Sequence, residues 1–496
     1  MKSFFNKIRL VLAIFVCKLS IKVCRLIGLG GTSLPGKIAL KLYPGVLKIV
    51  AKQFRIITVT GTNGKTTTTG IIAKILDEAG IEYITNSSGA NLLPGITATF
   101  ITSVNWKGES KIANALVEID EGVFGKITSH FEPDIIVVTN FFRDQIDRFG
   151  GVLEVLERVR STVKKSSKAC LILNADDSLC ASLGKDVENR VIYYGLTDFA
   201  DETDGVVGVC EADLTGEVAN RISIANESVE NWTDNASILD HDTLYCLYCD
   251  NKYEYSYYTY EHLGGYKCPN CSYERPKSHV TCFGIEEMTD KFSTVNIQIQ
   301  EINVIAKINL PGLFNIYNAL TAVAVGNVLG IPEKAVIQGL SSYKPSFGRM
   351  EQINIGGKFI KVILVKNPAG FNQIIDYLFM EDNNMQLALL INDKPGDDTD
   401  ISWIRDVNFE KLLNIDDKIE NVLIAGTRSA EMGERLEFAG INADKINIFD
   451  NYNELLDKGL SNTAEGQNIY ILPTYTAMLD IRKILKKRYG LKEFWQ

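Results

Sequence analysis

Histidine is scarce in this chain. Four occur in 496 residues, at positions 130, 241, 262 and 279. Outside one cysteine cluster, none sits with a plausible nucleophilic thiol, which argues against a self-contained Cys–His amidase. Long apolar runs are missing too. Leu10 to Cys17 is interrupted downstream by Lys18, Lys22 and Arg25, far short of the roughly 20 residues a spanning helix needs. No small-residue cleavage site follows it, so a secretory signal is disfavoured. Cationic excess is absent: the net charge of −9 argues against a general nucleic-acid binder. There is no internal repeat and no low-complexity segment. What remains is an ordinary globular composition, 46% hydrophobic and 23% charged, at a length that predicts two or three domains with a large core.

The most informative stretch is Val59-Thr-Gly-Thr-Asn-Gly-Lys-Thr-Thr67. It follows the apolar run Ile56–Val59 and opens a helical pattern, Thr66 to Ala79, that stops at Gly80. A strand, a glycine turn and a helix N-terminus together form a phosphate cradle. Backbone N–H groups of the turn and the helix dipole supply positive potential, and Lys65 adds a full charge. Thr66 is placed to ligate Mg²⁺ through its hydroxyl. An ordinary glycine turn would not need lysine, threonine and helix to agree.

Four of the ten cysteines fall as Cys246-x₂-Cys249 and Cys268-x₂-Cys271, a zinc-ribbon spacing. Two knuckles of this kind present four thiolates tetrahedrally, and a closed Cys₄ shell predicts structural zinc rather than metal catalysis. Disulfides are the alternative, but nothing else points to an oxidising compartment. Tyr253 to Tyr260 reads as a hairpin strand between the pairs. Cys17, Cys24, Cys170, Cys180, Cys210 and Cys282 are scattered and read as buried thiols.

Several predicted strands end in polar residues. Leu116-Val-Glu118-Ile-Asp120-Glu121 brings acids to a strand end, where open α/β sheets bind ligands and a carboxylate can hold Mg²⁺. A solvated acidic turn is plausible for Asp120 or Glu121 and less so for Glu118. Asp134–Thr139 delivers Asn140, Arg143, Asp144 and Asp147. Leu171-Ile-Leu-Asn-Ala-Asp-Asp177 repeats the pattern. Together with Leu310-Pro-Gly-Leu-Phe-Asn315-x-x-Asn318 and Gly348-Arg349-x-Glu351, these blocks occur in the order found in the Mur ligase superfamily. The superfamily joins carboxylates to amines using ATP. The resemblance covers roughly residues 55–450, and its phosphate loop shares the short spacing from Gly61 to Gly64.

The resemblance implies an ATP and Mg²⁺ site. It comprises Gly61, Thr62, Asn63, Gly64, Lys65, Thr66, Thr67, Glu118, Asn140, Asn315 and Arg349, with Glu118 a Mg²⁺ ligand, Asn315 near adenine and Arg349 on the nucleotide. The chain departs from the superfamily at Gln145, where many members have a metal-binding His. It departs again at Lys366-Asn-Pro, where many have a ribose-binding Asp and a His. No counterpart of the carbamylated lysine aligns cleanly, although Lys164 and Lys165 are near.

Only 54 residues precede the phosphate-loop strand, too few for the UDP-substrate domain of stem-peptide ligases. The zinc insertion, Phe141-Phe-Arg-Asp-Gln, Lys366-Asn-Pro-Ala-Gly, Leu472-Pro-Thr-Tyr-Thr-Ala-Met478 and Gly30-Gly-Thr-Ser-Leu-Pro-Gly36 resemble one branch of the superfamily. That branch comprises the ligase subunits of lipid II isoglutaminyl synthases. It implies ATP-dependent amidation of the α-carboxylate of D-isoglutamate in a lipid-linked peptidoglycan precursor, through an acyl phosphate. Ammonia would come from a separate class I glutaminase subunit in a heterodimer. In this branch an Asp at the Asp-x-Ser-Trp position completes the partner's triad, which would be Asp400. The plainer reading is an acidic loop with Asp397 and Asp398 as solvated neighbours. Catalysis would then rest on Lys65, Glu118 and Asp400.

The expected architecture is α/β. A helical segment (1–54) precedes a P-loop central domain (55–346) carrying the zinc-ribbon insertion (about 242–280), and a Rossmann-like C-terminal domain (347–496) follows. The N-terminal helix, expected over 3–28, has an apolar face and a basic edge. It suits packing on the ATP domain or contact with an anionic membrane surface. The expected location is cytoplasmic, at or near the inner face of the membrane. The competing functions are an autonomous Mur-type amino-acid ligase, of folylpolyglutamate or stem-peptide type, and a nucleotide-gated zinc-ribbon scaffold without catalysis.

Overall fold

The structure is a computed structural model that describes residues 2–26, 33–86, 90–144, 150–197, 241–345, 348–394, 396–397 and 400–491. Gly30 to Thr32, Gln145, Asp147, Cys210 and Asp398 lie outside the described residues.

Two sheets organise the chain. The first has nine strands: β1 (Arg55–Thr60), β2 (Tyr83–Thr85), β3 (Asn114–Glu118), β4 (Ile135–Val138), β5 (Cys170–Asn174), β6 (Val191–Leu196), β9 (Val280–Met288), β10 (Ser293–Ile299) and β11 (Ile302–Ile308). Their spatial order is β11-β10-β9-β6-β5-β4-β1-β3-β2. Strands from β2 to β9 pair in parallel, and β10 and β11 turn antiparallel at the edge. The parallel strands are β-branched and apolar on both faces because helices cover both. Ile56, Ala115, Ile136 and Leu171 face one core, while Ile57, Leu116, Ile135 and Ile172 face the other, as the period-2 alternation of a strand requires.

The second sheet has six strands: β12 (Arg349–Ile355), β13 (Lys358–Ile363), β14 (Met385–Leu390), β15 (Ile419–Ala425), β16 (Ile446–Phe449) and β17 (Asn468–Pro473). Its order is β12-β13-β17-β14-β15-β16, parallel except for the β12–β13 hairpin. A third element is the hairpin of β7 (Glu254–Tyr260) and β8 (Leu263–Lys267).

The N-terminal helix spans Lys2–Leu26. Leu10, Ala13, Ile14, Cys17 and Ile21 join the core on one face of the nine-stranded sheet. No helix among the described residues is long and apolar enough to cross a membrane.

Candidate active site

The phosphate loop leaves β1 at its C-terminal end and enters the helix Lys65–Glu78. Two glycines make the turn possible. Gly61 has φ +120° and Gly64 has φ +83°, in the region that disfavours side chains. A Cβ on Gly61 would lie 2.3 Å from the Thr139 hydroxyl, and one on Gly64 would lie 2.2 Å from Asn318 Oδ1. The loop is strapped to the end of β4. Thr62 N donates to the Asn140 carbonyl (2.9 Å), Asn63 N to Asn140 Oδ1 (2.8 Å) and Thr139 Oγ1 to the Asn63 carbonyl (2.7 Å). Asn140, expected at the nucleotide, therefore spends its side chain shaping the loop that would hold phosphate.

Lys65 is buried at the head of this loop. Its Nζ donates to the carbonyls of Gly61 and Thr62 and meets Glu121 Oε2 at 2.7 Å. Burial alone would lower its pKa, but Glu121, with Asp120 and Glu118, holds it above the usual lysine value. Glu121 is pulled the other way. Burial raises its pKa, and Lys65 and then Lys366 bring it below the ordinary carboxylate value. The solvated turn considered for Glu121 is thus corrected: the side chain is buried and ion-paired. Asp120 caps the short turn, accepting from Gly122 N at 3.1 Å, and its pKa is raised by burial and by Glu121.

Glu118 closes β3, buried within the same cleft. Its backbone is fixed by Asn86, whose side chain both accepts from Glu118 N (2.9 Å) and donates to its carbonyl (2.8 Å). Arg349 arrives from the second sheet. Its Nη2 lies 3.5 Å from Thr66 Oγ1, and burial lowers its pKa although Glu118 works against that. Asn315 heads the helix Leu313–Leu329, donates to the Pro311 carbonyl (2.7 Å) and accepts from Asn318 (3.0 Å). Thr62, Asn63, Gly64, Lys65, Thr66, Thr67, Glu118, Asp120, Asn140, Asn315, Asn318 and Arg349 line one cleft of about 380 Å³ between the sheets, whereas Gly61 and Glu121 lie behind its wall.

Some partners were not evident in the sequence. Lys366 Nζ pairs with the buried carboxylate of Asp144, whose pKa burial raises and Lys366 moderates. Asp397 is buried and lines the cleft, accepting from Thr476 N at 2.6 Å and from the Thr476 hydroxyl. Its reading as a solvated neighbour is corrected. Both pairs join residues far apart in the chain, and only Lys366 carried a local signal, as a departure from the superfamily motif. Asp400 is different: it is exposed, its Oδ1 accepts from Ser402 N (2.8 Å), and this contact lowers its pKa. It lies outside the cleft, in a surface groove with Arg405, Arg428, Glu434 and Phe438, the last 85% exposed.

The four cysteines 246, 249, 268 and 271 converge. Their sulfurs all lie within 4.8 Å of one another. Each pair sits on a tight turn that ends in a positive-φ residue, Asp250 and Ser272, both at φ 57°. No disulfide joins them. Four thiols at this separation on two like knuckles fit a tetrahedral metal. The hairpin between them is anchored to the central sheet: Tyr257 OH donates to the Leu196 carbonyl (2.8 Å) and Tyr260 lines the cleft beside Phe142. Of the scattered thiols, Cys17, Cys24, Cys180 and Cys282 are buried and Cys170 is partly so.

The two sheets, the glycine loop and the cleft between them define a Mur-type ligase. Residues 59–222 match the Mur ligase middle domain and residues 364–478 the MurT ligase C-terminal family. Solved structures agree on the fold. A pseudomurein peptide ligase type C from Methanothermus fervidus superposes with a TM-score of 0.61 at 20% identity, covering 91% of this chain and 84% of that one. The folylpolyglutamate synthase of Mycobacterium tuberculosis gives 0.57 at 12% identity, covering 91% and 95%. The sequence relatives are more specific. The lipid II isoglutaminyl synthase (glutamine-hydrolyzing) subunit MurT of Streptococcus pneumoniae is 33% identical over 92% of this chain and 93% of its own. Its Staphylococcus aureus (strain N315) namesake is 31% identical over 96% and 98%. The chain belongs to the MurT family.

Proposed function

We propose that this chain is the ligase half of a glutamine-dependent amidating enzyme. It uses ATP to phosphorylate the α-carboxylate of the D-isoglutamyl residue in the lipid II stem peptide, and ammonia then displaces the phosphate to give D-isoglutamine. One observation carries the reading: Lys65, Glu118 and Arg349 converge from two sheets on one cleft, in a chain of the MurT family over nearly its whole length.

In the first step a substrate carboxylate oxygen bonds to the γ-phosphorus of ATP and the bond to the β-phosphate oxygen breaks, releasing ADP. In the second, nitrogen bonds to the acyl carbon, the C–O bond to phosphate breaks, and phosphate leaves with the proton shed by nitrogen. Such chemistry needs charge neutralisation more than acid–base side chains. Lys65 is fixed at the loop head where phosphate oxygens would lie, and Arg349 lies beside Thr66. Thr66 and Glu118 are hard oxygen donors suited to Mg²⁺, which when bound would offset charge on the transferring group. We assign Asn315, which lines the cleft, to its adenine side. The four cysteines would hold zinc as a structural ion.

Ammonia is mostly protonated at neutral pH, so at low ammonium a glutaminase that delivers it directly would be the effective source. We assign that role to a class I glutaminase subunit in a heterodimer, and Asp400 to the carboxylate offered to its catalytic His. Exposure of Asp400, in the same surface groove as the 85% exposed Phe438, supports a partner-facing position. The test is incubation of the purified chain, its glutaminase, ATP, glutamine and lipid II, followed by mass spectrometry of the stem peptide. Replacement of one carboxyl OH by NH₂ is expected. Turnover of ATP with a free amino acid by the chain alone, without amidation, would favour the autonomous ligase instead.

A further inference from the structure

The N-terminal helix is apolar on two opposite sides. One side is buried in the core, as described above. The other presents Ile8, Leu12, Phe15, Leu19, Val23 and Leu26 to solvent, each between 47% and 86% exposed. Their spacing of three or four residues is that of one helix face, and at 1.5 Å per residue the stripe runs for about 27 Å. Trp106 widens it. Its ring lies 5.7 Å from Phe15, is 53% exposed, and carries the Lys18 ammonium 5.3 Å from its centre. An apolar surface this long is not left to water without a purpose.

The charge around it is one-signed. The helix holds Lys2, Lys7, Arg9, Lys18, Lys22 and Arg25 and no Asp or Glu. The first acid in the whole chain is Asp77, after thirteen Lys and Arg, although the net charge is −9. Lys7, Lys22 and Arg25 are exposed and, by helical spacing, run along one edge of the stripe. We infer that this face lies in the surface of an anionic phospholipid bilayer. The apolar stripe and Trp106 would enter the headgroup boundary, and the basic edge would meet the lipid phosphates. A second copy is a poorer occupant, since it would bring two acid-free cationic helices together.

The placement suits the site. The helix packs on Ser33–Leu42 and Leu93–Thr102, and Leu92, which starts the latter, is a half-exposed wall of the cleft. Binding stands on the stripe and its charge; only its purpose, reaching a lipid-anchored substrate, rests on the function proposed above.

The test is flotation of the full chain, with its glutaminase, on vesicles of phosphatidylcholine with or without phosphatidylglycerol. No substrate is added. Binding is expected to the anionic vesicles, and to fall roughly tenfold or more on neutral ones or in high salt. Phe15→Glu with Leu19→Glu should abolish it. Lys22→Glu with Arg25→Glu should remove the preference for anionic lipid. ATP binding should be unchanged in both, because these side chains lie on the exposed side of the helix. A blue shift of emission on adding vesicles should be missing in Trp106→Phe. Absence of flotation on anionic vesicles would overturn the inference, as would flotation of Phe15→Glu/Leu19→Glu at the wild-type level. A wild-type dimer that this double variant dissociates, without vesicle binding, would assign the face to a second copy. Failure here with intact lipid II amidation would leave the proposed reaction standing.

Discussion

Asn63 and Asn367 exchange side-chain amides across the cleft. Asn63 Nδ2 donates to Asn367 Oδ1 at 3.2 Å, and Asn367 Nδ2 donates back to Asn63 Oδ1 at 3.0 Å. The same Asn367 Oδ1 accepts from Gly370 N (2.8 Å) and so caps the helix Pro368–Leu378. One buried side chain thus starts a helix of the second sheet's unit and holds the phosphate loop of the first. Asn367→Ala should lose the cap, about 1 kcal/mol, and also free the loop. The expected result is a small drop in melting temperature with a larger rise in KM for ATP. An unchanged KM beside the lost stability would show that the pair is only a cap.

Lys65→Ala should abolish amidation in a chain that still folds. The ammonium gains most as charge develops on the transferring phosphoryl group, an effect often worth several kcal/mol. The readout is single-turnover formation of ADP together with circular dichroism. Near-wild-type turnover with unchanged ATP affinity would remove Lys65 from the role.

The Lys65–Glu121 pair also sets a pH dependence. Because the folded pKa of Glu121 is depressed, its stabilisation is present above the unfolded value of about 4.3 and is lost as pH falls through the lower folded value. Asp120 is shifted upward and contributes in the opposite sense, becoming less destabilising as it protonates. Glu121→Gln should therefore flatten the acid limb of a stability–pH profile, and it should let the Asp120 pKa drop. A profile as steep as wild type would show that other carboxylates govern acid unfolding.

Much of this arrangement was legible in the sequence because it is local. The strand Arg55–Thr60, the loop and the helix Lys65–Glu78 follow one another within 24 residues, and each carries its own signal. Likewise the cysteine pairs declare themselves by spacing. Glu118 was readable as a strand-end acid. Glu121 was not distinguishable from a solvated turn, since its ion pair is with Lys65, 56 residues away, and the further charge acting on it, Lys366, comes from the chain segment after the strand Lys358–Ile363. Asp397 failed for the same reason: its partner, Thr476, is 79 residues away. The N-terminal helix posed a choice between core packing and membrane contact, yet periodicity alone could not reveal that it has two apolar faces, one of them buried.

Removal of a cysteine ligand should unseat the hairpin. A closed Cys₄ site contributes folding free energy directly, and the hairpin here is tied to the central sheet through Tyr257 and reaches the cleft through Tyr260. Cys246→Ser or Cys271→Ser should lower bound zinc, measured by elemental analysis, and lower thermal stability. A chelator should produce the same loss in the unaltered chain. Protein purified without chelator that holds no zinc, or that shows disulfides between these cysteines, would refute the structural-metal assignment.

Asp400 gives the sharpest test of the two-subunit reading. A carboxylate beside a catalytic His fixes its tautomer and stabilises the imidazolium formed as the thiol loses its proton. Asp400 is exposed, and its own contact is the short bond to Ser402 N, so Asp400→Asn should leave the fold and the interface in place while removing charge. Glutamine hydrolysis by the complex should fall by orders of magnitude, up to about 10⁴-fold, the size of the effect when a triad Asp is changed to Asn. Amidation with high external ammonium should survive, because the ATP cleft is untouched. Asp397 cannot serve as a neighbouring control, being buried against Thr476 in the cleft; Glu434→Gln, exposed in the same groove as Asp400, is the better one and should do little. Normal glutamine hydrolysis by Asp400→Asn would exclude the triad role. Equal loss with glutamine and with external ammonium would move Asp400 into the ligase chemistry instead.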